Sequence, residues 1–319
     1  MTVIADKPKN QTVVAPAFNP WLALVVGVLA GTFAAPFIKL SQENGLPSPV
    51  IAFGRMGLAA LALTPLVLRY YPQDLQKLTR KDLIMAMFGG AFLVTHFMLM
   101  IFALENATTL VVLVIVNTGP LWVALLERIF LKEQLNRFVW VGMFITIAGS
   151  FYIALNANSG TSIGDGTPML GAILSFFAAI AGAAYMIVGR TVRRKVSLFP
   201  YVWVVFSCGG ILGLIVTLAT GTPIIEHPSG GYFWLIMLTL LPQLIGHSAF
   251  NFALRYFTAT LTSLSSQLLT ITGSIVAFFI FAEVPTLHDF IGSAVIALGV
   301  LIAILNRTKT KRSTSEIDA

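Results

Sequence analysis

Charge is scarce in this chain. Asp, Glu, Lys and Arg together make up 10% of its 319 residues, against roughly 25% in soluble domains. So little charge cannot cover the outside of a water-soluble body that is 57% apolar. A bilayer lifts that requirement, because helices within it are apolar all round. Cysteine is nearly missing too. Cys208 alone excludes an intramolecular disulfide and any multi-cysteine metal site. The sequence has no Gly-x4-Gly-Lys-Ser/Thr phosphate loop and no His-Glu-x-x-His metal motif, and no paired aspartates lie inside a span. These absences count against ATP-driven transport by this chain alone and against an intramembrane hydrolase. No cofactor and no metal is expected.

What is present is a series of apolar runs of bilayer length, about 20 residues each. They fall near 21–40, 49–68, 83–104, 110–130 and 138–155, then near 169–189, 200–219, 232–254, 261–281 and 290–305. The expected fold is an all-α integral membrane protein with ten transmembrane helices. The connections are short and hold turn formers, such as Asn156 to Gly160 and Gly221-Thr222-Pro223. Residues 1–19 are polar and read as a flexible N-terminal tail, and 307–319 as a basic C-terminal one.

Eighteen of the 20 Lys and Arg fall on one side if the N-terminus is cytoplasmic; Lys39 and Arg55 are the exceptions. That asymmetry orients a multi-pass protein with both termini inside the plasma membrane. It accounts for the net charge of +7 as topology, and no nucleic-acid partner is expected.

The sequence also repeats. A shift of 150 positions aligns Ala103-Leu104 with Ala253-Leu254, Glu133 with Glu283, Gly142 with Gly292 and Gly149 with Gly299, without a gap. Earlier in each half a shift of 151 aligns Gly31 with Gly182 and Lys39 with Arg190. Five spans per repeat is an odd number, so the halves enter the membrane from opposite sides. They make two inverted five-helix repeats, 20–156 and 167–306, joined by an extracytoplasmic loop at 157–166. Inverted repeats are a construction of secondary transporters.

The pattern Glu133-x8-Gly142-x6-Gly149, repeated as Glu283-x8-Gly292-x6-Gly299, occurs with Arg55 in the second span and Ala-Leu ending the third and eighth. It resembles the EamA branch of the drug/metabolite transporter superfamily. The resemblance covers roughly residues 21 to 306. It implies a ten-helix inverted-repeat carrier with a central cavity, commonly exporting amino acids or related small metabolites across a bacterial plasma membrane by alternating access. An uptake carrier, a flippase for a lipid-linked substrate and, more remotely, an intramembrane enzyme are the competing functions.

Polar groups inside spans mark the candidate site, because ionisable side chains there usually face the bundle interior or a water-filled cavity. Arg55 reads either as a fixed charge for a substrate carboxylate or as a structural arginine. Asn117 and Gln267 coincide under the 150 shift, and they are candidates for substrate binding together with Thr270. Their alternative role is interhelical hydrogen bonding. His96 and His247, 151 apart, are candidates for proton coupling or simple hydrogen bonding between helices. Lys39 reads as snorkelling to the outer interface. Pro120 opens the backbone after Asn117. Glu133 and Glu283 read as helix N-terminal charges. The glycines 142, 149, 292 and 299 form one small-residue face per helix, suited to packing the halves or to a homodimer contact.

Overall fold

The computed structural model describes residues 18–107, 109–132, 136–156, 167–281 and, between 287 and 302, all but 289, 293 and 300. The N-terminal tail before residue 18, the loop 157–166 and the C-terminal tail lie outside the described residues. So do Glu133, Glu283 and the side chain of Thr270.

Among the described residues every regular element is a helix. In chain order these are α1 (Pro20–Glu43), α2 (Ser48–Tyr70), α3 (Arg80–Asn106), α4 (Val111–Leu131), α5 (Arg137–Asn156), α6 (Met169–Arg193), α7 (Leu198–Ala219), α8 (Ser229–Ala253), α9 (Ala259–Phe281) and α10 (Phe290–Gly299). Within the described residues, eight of them, all but α5 and α10, present a window long and apolar enough to cross a bilayer. α5, 20 residues long, and α10 stand where the fifth and tenth spans are expected. Large apolar side chains cover the outside, with Leu61 69% and Phe279 79% exposed. Such a surface suits lipid tails and would aggregate in water.

The helices interleave as an inverted repeat requires. α3 packs along α6 and α1 along α8, two contacts that exchange when each helix is replaced by its repeat mate, while α2 packs on its own mate α7. The α2–α7 crossing is close: a Cβ at Gly210 would lie 2.8 Å from the Gly57 Cα. α5 and α10 meet through the repeated glycines. A Cβ at Gly149 would lie 2.9 Å from the Gly292 carbonyl oxygen, and one at Gly299 would lie 2.5 Å from that of Gly142. This small-residue face is therefore used inside the chain, to join the halves.

Four helices are interrupted near mid-depth, each for a local reason. In α1, regular helix stops at Gly31 and resumes at Ala34, where Pro36 has no N–H to offer the Thr32 carbonyl. In α4, Pro120 stands at the start of a new segment, and the chain turns at Asn117-Thr118. In α8, Pro242 lies inside a π-helical stretch, Thr239–His247. In α9 the break falls at Gln267, whose N–H bonds to the Leu264 carbonyl, 3.1 Å away. Backbone opened at membrane depth is tolerated where it is buried in protein or lines a cavity.

Polar staples hold both ends of the bundle. At one end Ser48 donates to Glu105, and Gln42 Nε2 donates to Ser48 Oγ at 2.9 Å, tying α1, α2 and α3 together. At the other end, rich in Arg and Lys, Arg190 Nη1 donates to the Leu254 carbonyl at 2.9 Å and Arg193 Nε to the Asn251 carbonyl at 3.1 Å. These arginines cap the last turn of α8, where carbonyls lack helical partners. Lys39, the repeat mate of Arg190, does not snorkel. It is only 6% exposed and holds its Nζ 4.8 Å from the centre of the Phe281 ring. An ammonium is attracted to such a ring face, so burial against α9 replaces the expected reach to water.

Candidate functional site

The interrupted helices surround a central cavity of about 160 Å³. A cavity near 150 Å³ holds a molecule the size of benzene. Both halves build its wall. Thr32, Arg55, His96, Phe97 and Asn117 come from the first half, and Tyr185, His247, Asn251, Ser263 and Ser266 from the second.

Arg55 is fully buried two turns into α2. Its Nε donates to Gln243 Oε1 at 2.9 Å, and its Cζ stands 3.7 Å above the centre of the Phe97 ring. These contacts fix the plane of the guanidinium by a hydrogen bond and a stacking face. The terminal nitrogens, Nη1 and Nη2, have no acceptor. Among the described residues no Asp or Glu stands in the cavity wall. Gln243 reaches Arg55 because it follows Pro242 in the π-helical stretch of α8, a kind of distortion that occurs often at functional sites.

The two histidines flank the same ring. His96 lies 5.3 Å and His247 5.1 Å from Phe97, centre to centre. They are not repeat mates. His96 packs on Gly182, and its Nδ1 donates to the Ala178 carbonyl at 2.8 Å. The matching place in the second half is Gly246, which packs on Gly31, the mate of Gly182. The 150 shift accordingly pairs His247 with Phe97, which explains why the histidines are 151 apart. Next to His247, Asn251 Nδ2 donates to the Tyr185 hydroxyl and, at 2.7 Å, to the His247 carbonyl.

Asn117 and Gln267 do meet, but only one faces the cavity. Because Leu121 N–H bonds to the Thr118 carbonyl at 3.0 Å rather than one residue further back, the Asn117 carbonyl is released from the α4 ladder. Gln267 Nε2 donates to that carbonyl. Asn117 stands in the cavity wall and Gln267 does not. Gln267 is thus placed as a tie between α4 and α9, with its Nε2 on a backbone carbonyl and its Oε1 buried without a partner. Pro120 also borders the cavity, and it has no N–H to offer the Val116 carbonyl one turn back.

Glu127, a span-end carboxylate with no assigned role in the sequence reading, turns out to be completely buried. It receives the Ala259 N–H at 2.6 Å, the Thr260 N–H at 3.1 Å and the Thr260 hydroxyl. One carboxylate of α4 therefore caps the N-terminus of α9, where backbone donors and the helix dipole favour negative charge. It lies one helical turn beyond Val123, a cavity residue, and it joins the halves at the basic end of the bundle. The repeat mate of Glu127 is Ala277, so the opposite end has no such carboxylate at that place.

A second, apolar cleft of about 550 Å³ runs between α4, α5 and α6, bordered by Trp122, Ile147 and Phe176 among others. Among its described lining residues, Thr118 and Trp122 carry the polar side-chain atoms, and the Trp122 Nε1 is buried without a partner.

Comparison with known proteins agrees with this architecture. The EamA-like transporter family matches residues 20–155 and again 169–305. The chain is 25% identical to the uncharacterized transporter YdfC of Bacillus subtilis (strain 168) over 292 residues, 91% of this chain and 92% of that one. It is 22% identical to the uncharacterized transporter YxxF of the same organism over 279 residues, 86% of this chain and 87% of that one. A solved crystal structure superposes with a TM-score of 0.73 at 15% identity, covering 91% of this chain and 98% of the other, and so shares the fold.

Proposed function

We propose that this chain, which belongs to the EamA-like transporter family, is a secondary transporter that exports amino acids or related small metabolites from a bacterial cell by alternating access. The observation that carries the reading is the central cavity. Its wall is drawn from both halves and holds a buried guanidinium whose terminal nitrogens have no protein acceptor. A chamber built this way sits where two inverted halves can rock against each other around a fixed site.

In this reading both termini are cytoplasmic, and the Glu127 latch closes the cytoplasmic side in the conformation described. Opening that side breaks its hydrogen bonds to α9. The opposite side must close in turn without a carboxylate at Ala277. Asn117 holds a polar part of the substrate, beside backbone that Pro120 has opened. His96 and His247 couple the cycle to protons, which supplies the energy for uphill export. Arg55 engages the substrate directly.

The rival from another class is an intramembrane enzyme. A Gly-x-Ser-x-Gly run does occur at 160–164, in the loop between the halves and outside the described residues. A nucleophile elbow needs a strand-to-helix turn, and every regular element among the described residues is a helix. The cavity wall pairs neither histidine with a carboxylate.

Purified protein in liposomes tests the proposal. Saturable exchange of a labelled metabolite across the membrane, lost in Asn117→Ala protein that still folds, is the expected result. A lack of flux for a broad panel of metabolites, with rapid movement of a lipid-linked substrate instead, would overturn it.

A further inference from the structure

We infer that the cavity selects an organic monoanion with an apolar body, a carboxylate of about six carbons, and that it makes no use of an α-ammonium group. The inference rests on the transporter reading above and narrows its substrate class from amino acids and related metabolites to the carboxylates that lack the amino group.

Arg55 presents five N–H donors in a rigid fork, and only the one on Nε is engaged. Its Nη1 and Nη2 are buried without an acceptor. A buried charge left in that condition is costly, and in proteins it is normally paired. Among the described residues nothing pairs it, while Gln243 and the Phe97 ring hold the fork in one orientation. A planar carboxylate accepting from both terminal nitrogens completes the arrangement with two parallel hydrogen bonds.

The rest of the wall offers a zwitterion's ammonium neutral acceptors, the unpartnered Asn251 Oδ1 foremost, and no charged partner among the described residues. An ammonium next to a bound carboxylate would lie close to the Arg55 charge, and among the described residues no Asp or Glu borders the cavity to offset the repulsion. Leu93, Met100, Val116, Val123 and Leu269 furnish an apolar remainder. A volume of about 160 Å³ suits a small occupant.

Four probes of one carbon skeleton separate the two functional groups. 4-Methyl-2-oxopentanoate carries the carboxylate alone and leucine carries both groups. Leucinamide carries the ammonium alone, and 4-methyl-2-oxopentanamide carries neither. Binding is read from the ligand-induced shift in thermal unfolding of detergent-purified protein, and flux from counterflow in liposomes. The oxoacid is expected to bind at least tenfold tighter than its amide, and leucine no tighter than the oxoacid. Arg55→Gln should erase the preference for carboxylate over amide. Arg55→Lys, which keeps the charge without the fork, should retain a reduced preference. If Arg55→Gln fails to fold, the lysine variant and the four-probe series on wild-type protein carry the decision.

Equal binding of oxoacid and amide would overturn the inference, and so would a tenfold advantage for leucine over the oxoacid. Flux of neutral metabolites without carboxylate binding would leave the transporter reading standing and remove the anion site. Arg55-dependent binding of the oxoacid without flux would keep the site and remove transport. Neither binding nor flux across the panel would overturn both.

Discussion

Replacing Glu127 by Gln should loosen the basic end of the bundle far more than its size change suggests. The carboxylate receives two backbone N–H groups of α9 and the Thr260 hydroxyl. A glutamine oxygen can still accept from Ala259. Its NH2 group, however, meets the Thr260 N–H donor to donor, leaving that buried backbone group unsatisfied at about 1–3 kcal/mol. Loss of the negative charge from the helix N-terminus adds roughly 0.3–1 kcal/mol, and up to about 2 in buried settings. The sum is about 3 kcal/mol. If the latch exists only while this side is closed, that energy moves the open-to-closed ratio by roughly two powers of ten. The assay uses Ser263→Cys as a reporter in the cavity wall, in a Cys208→Ser background. A membrane-impermeant thiol reagent is applied from the side of the basic loops. Labelling should accelerate at least tenfold in Glu127→Gln, while labelling from the other side slows. A folded variant labelled at the wild-type rate from both sides would refute the latch.

Other expectations are simpler to state. Gly299→Ala should lower the unfolding temperature, because its Cβ would lie 2.5 Å from the Gly142 carbonyl oxygen and 2.8 Å from the Thr146 nitrogen, an overpacking that costs about 1–3 kcal/mol. Gly57→Ala, whose Cβ meets nothing within 4 Å, should be neutral or slightly stabilising in the same melt, since alanine is the better helix former. Gln267→Leu should destabilise by about 1–3 kcal/mol by orphaning the Asn117 carbonyl, with substrate affinity little changed; Asn117→Ala should do the reverse, cutting flux at least tenfold with a near-normal melt. Uphill accumulation should vanish when the pH gradient is collapsed, and in the His96→Gln, His247→Gln double variant it should no longer respond to the gradient. Unchanged accumulation in either case would remove the histidines from coupling.

Much of the architecture was legible from the sequence because it follows from two simple periodicities. Apolar runs of bilayer length gave the spans, and the shared Glu and Gly positions gave the repeat, so the α3–α6 and α1–α8 contacts arise as mates. The glycine face of α5 and α10 was legible for the same reason: only small residues permit backbones to approach that closely. Arg55 stood out through the cost of a charge at depth. Lys39 misled, because sequence position near a span end does not reveal that Phe281 covers it.

Within the site, legibility depended on backbone geometry that a linear reading does not contain. Asn117 and Gln267 share a repeat position, yet the freed carbonyl beside Pro120 captures Gln267 and keeps it from the cavity. Gln243 is a mid-span amide like Asn117, and that signal was available; its pairing with Arg55 depends on the π-helical turn around Pro242. The 151 spacing of the histidines already showed that they fall out of step with the repeat. Glu127 gave no signal, since a carboxylate at a span end is common, and only the approach of α9 makes it a joint between the halves.

The central claim is that both halves share one binding chamber that opens to each side in turn. Counterflow tests it most directly. Liposomes containing the purified protein are loaded with unlabelled 4-methyl-2-oxopentanoate, and entry of labelled compound is followed without a pH gradient or a membrane potential. The account predicts saturable, transient accumulation above the outside concentration that requires internal substrate and disappears in Arg55→Gln. Entry that is linear in concentration and indifferent to the internal load would contradict it.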